Sequence, residues 1–159
     1  MSAPSSTASQ PAGDQPARTV IVSGYFNPLH IGHLRLLQAA RAAGDKLVVI
    51  VNNDAQQQLK KGRVIMSQDD RREIVAAIGI VDEAIIAVDE DETIRATLAA
   101  IAEREAGNRL VFGNGGDRDS AGAVPETEVC ERYGITMVFD MGGTNKADSS
   151  SRINDALGI

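Results

Sequence analysis

Short apolar runs alternate along this chain with stretches in which apolar residues recur every three or four positions. Arg18 to Ser23 is β-branched and almost continuously apolar, which predicts a strand buried on both faces that ends at a turn at Gly24. From Ile31 to Ala43 the residues Leu34, Leu37, Ala40 and Ala43 repeat at helical spacing, with Gly44 as the stop. Leu47 to Val51 is the next apolar run, at the distance from the first that a parallel βαβ crossover requires.

The segment from Asn52 to Met66 reads as a loop carrying Lys60, Lys61 and Arg63. Ser67, with Asp70 three residues later, resembles a capping box opening a helix that runs to about Ile78. A third strand follows at Glu83 to Val88, then a helix from Thr93 to Ala106 with Ile94, Leu98 and Ile101 on one face. Arg109 to Phe112 reads as strand, Pro125 to Tyr133 as helix, Ile135 to Phe139 as strand and Ser149 to Leu157 as a short closing helix. Five strands alternating with helices predict an α/β fold, a doubly wound parallel five-stranded sheet in one domain over residues 18–159. Such sheets bind ligands outside the carboxyl ends of their strands, so the loops after Ser23, Val51 and Phe112 should share a crevice.

Composition narrows the picture further. Residues 1–17 are rich in Ser, Ala, Pro and Gln, lack the basic start and apolar core of an export signal, and read as a disordered tail. The net charge of −6 argues against nucleic acid as the main partner, because phosphate-backbone binding needs a clustered excess of Lys and Arg. The apolar runs are too short to span a bilayer. Cys130 is the single cysteine, which excludes an intrachain disulfide and fits a reducing cytosol; a cytoplasmic location with no membrane partner is therefore expected.

The candidate chemistry lies between the first strand and first helix, where Gly24-Tyr-Phe-Asn-Pro-Leu-His-Ile-Gly-His33 holds both histidines of the chain. Two imidazoles at a helix N-terminus can hydrogen-bond a phosphate, where backbone N–H groups and the helix dipole already favour an anion. Gly32 would let that phosphate approach the backbone closely. The competing reading is a pair of histidines that merely cap a turn. After the fourth strand, Phe112-Gly-Asn-Gly-Gly-Asp117 is a glycine-rich loop able to approach a ligand or simply to turn the chain.

The segment Gly24 to His33, with its intact His-x-Gly-His, resembles the signature of the cytidylyltransferase-like nucleotidyltransferases. Two further segments resemble that family in order: Asp69-Asp-Arg71 at a helix start, and Asp148-Ser-Ser-Ser-Arg-Ile153 near the end. The resemblance spans about Thr19 to Ile153 and implies a Rossmann-like nucleotidyltransferase fold. It implies that His30 and His33 contact the α-phosphate of a nucleoside triphosphate and that Arg71 contacts the β/γ end. Lys60, Lys61 and Arg63, after the second strand on the ligand edge of an otherwise acidic chain, read either as a cationic lid over the pyrophosphate leaving group or as a plain soluble loop. Gly24, Tyr25, Phe26 and Gly32 would line the nucleotide, and Gly115, Gly116 and Asp117 would face its base. Ser149, Ser150 and Ser151 would hold the triphosphate from the last helix. The Gly-Gly-Asp is similar to one in heptose-phosphate adenylyltransferases, while glycerol-phosphate cytidylyltransferases carry an Asp in the same loop.

The implied reaction is transfer of a nucleoside monophosphate from CTP or ATP, CTP favoured, to a phosphorylated or phosphonate small molecule, releasing pyrophosphate. Mg²⁺ would enter with the nucleotide phosphates rather than in a protein cage, and the resemblance also implies a homodimer. Asn27 stands where the cytidylyltransferase motif commonly has Asp, and Asp148 stands where an apolar residue usually precedes the serines; Lys146 is the available substitute for an upstream Arg. Those departures leave the acceptor and the base open. Adenylyl transfer to a sugar phosphate, a nucleotide-binding regulatory module without turnover, and an unrelated flavodoxin-like α/β domain are the alternatives.

Overall fold

In the computed structural model the described residues are 16–115, 124–142 and 150–158, with Ser150 and Ser151 described by their backbone alone. The sheet is built from β1 (Arg18–Gly24), β2 (Lys46–Val51), β3 (Glu83–Ile86), β4 (Arg109–Gly113) and β5 (Thr136–Val138). They lie in the order β3-β2-β1-β4-β5, all parallel. The expected doubly wound α/β sheet is therefore present. Most of the expected tail, residues 1–15, lies outside the described residues.

Alternation along the two central strands explains their unbroken apolar sequence. Val20 and Val22 of β1 join Leu47, Val49 and Val51 of β2 in one core with Leu37 and Ala40 of α1 (Ile31–Ala42) and Val75 further along. Ile21, Val48 and Ile50 point the other way, into a second core with Leu98, Ile101, Phe112, Cys130 and Ile135. A strand covered on both faces must be apolar at every position.

The helices α3 (Gln68–Ala76), α4 (Arg95–Arg104), α5 (Thr127–Tyr133) and α6 (Ser150–Ala156) fall within the expected segments, shorter by one or two residues at most ends. Ser67 caps α3 as anticipated, its hydroxyl accepting from Asp70 N at 3.2 Å. The segment after β2 is a correction. It contains a helix, α2 (Asp54–Lys61), so Lys60 and Lys61 form its last turn and only Arg63 follows in loop. Asn53 caps it reciprocally with Gln56, and Gly62 ends it in the left-handed region at φ 71°. These are ordinary helix start and stop signals.

Because β1 and β4 are neighbours while their crossovers run outward in opposite directions, the chain divides at their carboxyl ends. Gly24 and Gly113 finish those strands, so the loop bearing both histidines and the loop beginning at Asn114 open from the same place.

Candidate active site at the sheet crossover

The loop from Tyr25 to His30 is held from below and behind. Phe26 takes a positive φ of 52° and is only 1% exposed; its ring lies over Gly24, where a Cβ would come within 2.8 Å of it. Glycine is required there to seat the aromatic ring. Phe26 is thus part of the core, which corrects its expected place on the nucleotide; its ring also packs on His33, 4.7 Å between centroids.

His30 is the N-cap of α1 and its Nδ1 accepts from Gly32 N at 3.0 Å. His33 closes the box in reverse, its Nδ1 accepting from His30 N at 3.2 Å. A ring nitrogen that accepts a backbone N–H carries no proton, so in the neutral imidazole the proton sits on Nε2. Both rings therefore present Nε2–H as a donor. They stack with centroids 3.9 Å apart. Burial pushes the His33 imidazole down to about 3, with the adjacent His30 ring adding to the effect, so His33 is neutral throughout the ordinary pH range. The helix start thus offers paired neutral donors beside the N–H groups of its first turn, an arrangement suited to phosphate oxygens.

Arg71 is the largest revision to the sequence reading. Its guanidinium is buried, with the side chain fully inaccessible, instead of reaching toward a phosphate. Nε donates to Met66 O at 2.9 Å, Nη1 to Tyr25 O at 2.8 Å and to Asn52 O at 2.6 Å, and Nη2 to Asp54 Oδ1 at 2.7 Å. One planar fork ties the β1 loop, the end of β2, the start of α2 and the lead into α3 to one another. In this structure Arg71 positions the site and does not line it. The next residue of the helix, Arg72, is half-buried.

The other expected cations divide. Lys60 reaches back across the site, its Nζ 4.6 Å from the centre of the Tyr25 ring, while Lys61 and Arg63 are exposed. Tyr25 itself is half-buried at the mouth of the loop. Gly32 lies in the first turn of α1, and Gly115 opens beyond β4, where a Cβ would meet nothing within 4 Å among the described residues. Gly116, Asp117 and Ser149 lie outside the described residues. Ser150 and Ser151 begin α6, whose Asn154 Nδ2 reaches Asn27 O at 3.3 Å and so brings that helix to the histidine loop.

Several polar side chains shape the crevice through contacts that the sequence does not show. Asn27 is 2% exposed, and its Oδ1 accepts from Ile65 N at 3.2 Å and Met66 N at 2.9 Å. Asn52, Asn114 and Asp54 flank the same region, and their only sequence signal is adjacency to strand ends. Among the described residues no group of three or more His, Cys, Asp or Glu gathers as a metal cage, and no helix is long and apolar enough to cross a membrane.

Comparison with known proteins fits this geometry. The cytidylyltransferase-like family model matches residues 21–157. A bifunctional protein HldE of Geobacter sulfurreducens is 33% identical over 148 residues, covering 91% of this chain and 28% of that protein. An FAD synthase of Natrialba magadii is 45% identical over 74 residues, 46% of this chain and 49% of the synthase. The chain thus spans half or less of these curated relatives. Among solved structures, a lipopolysaccharide core biosynthesis protein from Thermoplasma volcanium superposes with a TM-score of 0.62 at 24% identity, covering 77% of this chain and 93% of that one, which speaks for the fold alone. A match over nearly the whole described domain, with the histidine loop at the sheet crossover, makes this chain a member of the cytidylyltransferase-like family of nucleotidyltransferases.

Proposed function

We propose that the chain is a nucleotidyltransferase that moves a nucleoside monophosphate from a triphosphate onto a small acceptor bearing a phosphate or phosphonate. The observation that carries this reading is the imidazole pair, whose Nδ1 atoms are both spent on backbone N–H groups so that two Nε2–H donors serve an anion at the start of α1. Membership of the family supports it. ATP is favoured over CTP as the donor, because the product in the name of the FAD synthase relatives carries an adenylyl group.

In the proposed reaction an acceptor oxygen attacks the α-phosphorus in line. A P–O bond forms to the acceptor as the bridging bond to the β-phosphate breaks, and pyrophosphate leaves with that electron pair. No covalent intermediate on the protein is needed, so catalysis is positioning and stabilisation of charge on the α-phosphate oxygens. Neutral Nε2–H donors from His30 and His33 strengthen as that charge grows. Arg71 keeps the loop in place, and Lys60, over the Tyr25 ring, would supply a positive charge to the leaving group. Mg²⁺ would be bound chiefly by the triphosphate and would supply charge neutralisation. A homodimer is part of the same proposal.

The test is pyrophosphate release from ATP and CTP with Mg²⁺ over a panel of polyol phosphates, sugar 1-phosphates and phosphonates. Acceptor-dependent release is expected, faster with ATP. No release with any acceptor, together with tight nucleotide binding, would support a regulatory module instead.

A further inference from the structure

Asn27 is nearly inaccessible, and its amide has no freedom to choose its orientation. Because Oδ1 accepts from two backbone N–H groups, those of Ile65 and Met66, the nitrogen is fixed on the other branch. That Nδ2 is buried and has no hydrogen-bond partner. The Asn27 main-chain carbonyl is held by Asn154, whose own Oδ1 is likewise buried without a partner, and Asn114 Nδ2 at the end of β4 is a third such atom. Buried amide donors are almost always paired, and leaving one unpaired is costly. Asn27 Nδ2 and Asn114 Nδ2 belong to the loops that open at the carboxyl ends of β1 and β4, Asn154 on α6 reaches the first of these loops, and Gln57 Oε1 on α2 is another buried atom without a partner.

The loop that carries Asn27 also carries His30, three positions on, at the cap of α1. Resting on the nucleotidyltransferase reading above, we propose that Asn27 Nδ2 donates a hydrogen bond to a phosphate oxygen of the bound nucleoside triphosphate. Asn27 then has two jobs on two atoms. Oδ1 anchors the lead into α3, and Nδ2 demands an unprotonated oxygen from the ligand. It joins the imidazole Nε2–H groups as a further side-chain donor at this loop.

The substitution Asn27→Asp separates the two jobs, since Asp has the same shape and keeps an oxygen for Ile65 N and Met66 N. It replaces the donor with an anionic oxygen. Binding of ATP and of inorganic pyrophosphate to the full chain is measured by calorimetry with Mg²⁺ at a series of pH values, alongside ligand-free melting. At pH 8 the variant should bind ATP at least tenfold more weakly than the unsubstituted protein. That deficit should shrink as the pH falls and the Asp carboxyl regains a proton to donate. A purely structural role for Asn27 predicts no such recovery at unchanged melting temperature.

In the unsubstituted protein the side-chain amide proton resonances of Asn27 should shift on saturation with ATP, which tests the proposal even if the variant does not fold. Equal ATP affinity in the two proteins at pH 8, a deficit that does not recover at low pH, or amide resonances unmoved by saturating ATP would each overturn the inference. Those outcomes presuppose ATP or CTP binding to the unsubstituted protein. Failure of both nucleotides to bind it would overturn the nucleotidyltransferase reading itself, and this inference with it.

Discussion

Two helices in this protein begin with the same reciprocal cap, and they use it differently. At α2, Gln56 N donates to Asn53 Oδ1 at 2.8 Å and Asn53 N donates to Gln56 Oε1 at 2.9 Å. The remaining amide hydrogens are consumed within the fold: Asn53 Nδ2 donates to Ala87 O and Asp89 O at 2.9 Å each, and Gln56 Nε2 to Asp91 O and Thr93 O at 2.8 Å each. At α1 the cap is made by His30 and His33, and each ring spends one nitrogen on it. Imidazole geometry sets the second nitrogen on the far side of the ring from the first. An amide box can staple two strand-end loops together, whereas an imidazole box stabilises its helix through one nitrogen of each ring and carries the proton on the other. Local stability and chemistry are thus compatible at one helix start when the capping group has two distinct edges.

Arg71 joins the two regions, and removing it should have the largest effect. Arg71→Ala leaves the Tyr25, Asn52 and Met66 carbonyls and the Asp54 carboxylate without their shared partner. Asp54 is half-exposed and regains water, so the cost comes chiefly from the buried carbonyls left unpaired, about 1–3 kcal/mol for each that water does not reach. The expected outcome is a protein with a much lower denaturation midpoint and weakened nucleotide binding together. Arg71→Lys keeps the charge without the fork and should fall between. Full stability in Arg71→Ala, with only binding lost, would return Arg71 to direct phosphate contact.

Next in size are the histidines. His30→Ala and His33→Ala should each lower kcat by about 10²–10³ while changing nucleotide affinity much less, as for other preorganised donors aimed at developing charge. Single-turnover pyrophosphate release from folded variants reads this directly. Near-normal rates in both would make the α1 box no more than another cap.

The pH dependence of stability sharpens the contrast at lower cost. His33 titrates near 6.5 when unfolded and near 3 when folded, so below 6.5 the unfolded state takes up the proton first. Stability contributed by neutral, half-buried His33 is therefore complete above about pH 6.5 and declines as the pH falls toward 3. Denaturation midpoints measured from pH 7 to pH 4 should fall more steeply in the unsubstituted protein than in His33→Asn, which has no titrating ring. Parallel slopes would contradict the burial of that imidazole. The smallest effect belongs to the amide box. Asn53→Ala should cost about 1 kcal/mol through the lost cap, somewhat more if its bonds to Ala87 O and Asp89 O are counted, without a selective loss of kcat.

The fold was legible in the sequence because its central strands obey one rule, burial on both faces, and their apolar runs are bounded by glycine or by charge. The histidine loop was legible because both histidines fall at one strand-to-helix junction. The helix α2 escaped because its sequence, Asp54-Ala-Gln-Gln-Gln-Leu-Lys-Lys61, has almost no apolar stripe; the signals present were Asn53 with Gln56 three residues on, and Gly62. Arg71 stands out in the sequence, and the structure buries its guanidinium against backbone carbonyls. A sequence shows that a cation stands near acidic residues at a helix start, and not which carbonyls the folded backbone turns toward it. Asn27 was noticed as a departure from the family pattern, but two backbone N–H groups almost forty residues along the chain decide which way its amide faces.

The adjacency of β1 and β4 also bears on how the protein acquires its site in time. Strands β1 and β2 can pair as soon as the first crossover is made, but β4 reaches β1 only after β2, β3 and the helices between them have been laid down, with Arg18 finally opposite Arg109. Closing so long a loop is slow and must precede the contacts that reward it. The crevice at the carboxyl ends of those two strands is therefore a late product of folding. A partly synthesised chain that ends before β4 would carry the complete histidine loop and still lack a wall for a nucleotide, so refolding followed by ligand capture should lag behind refolding followed by helix content.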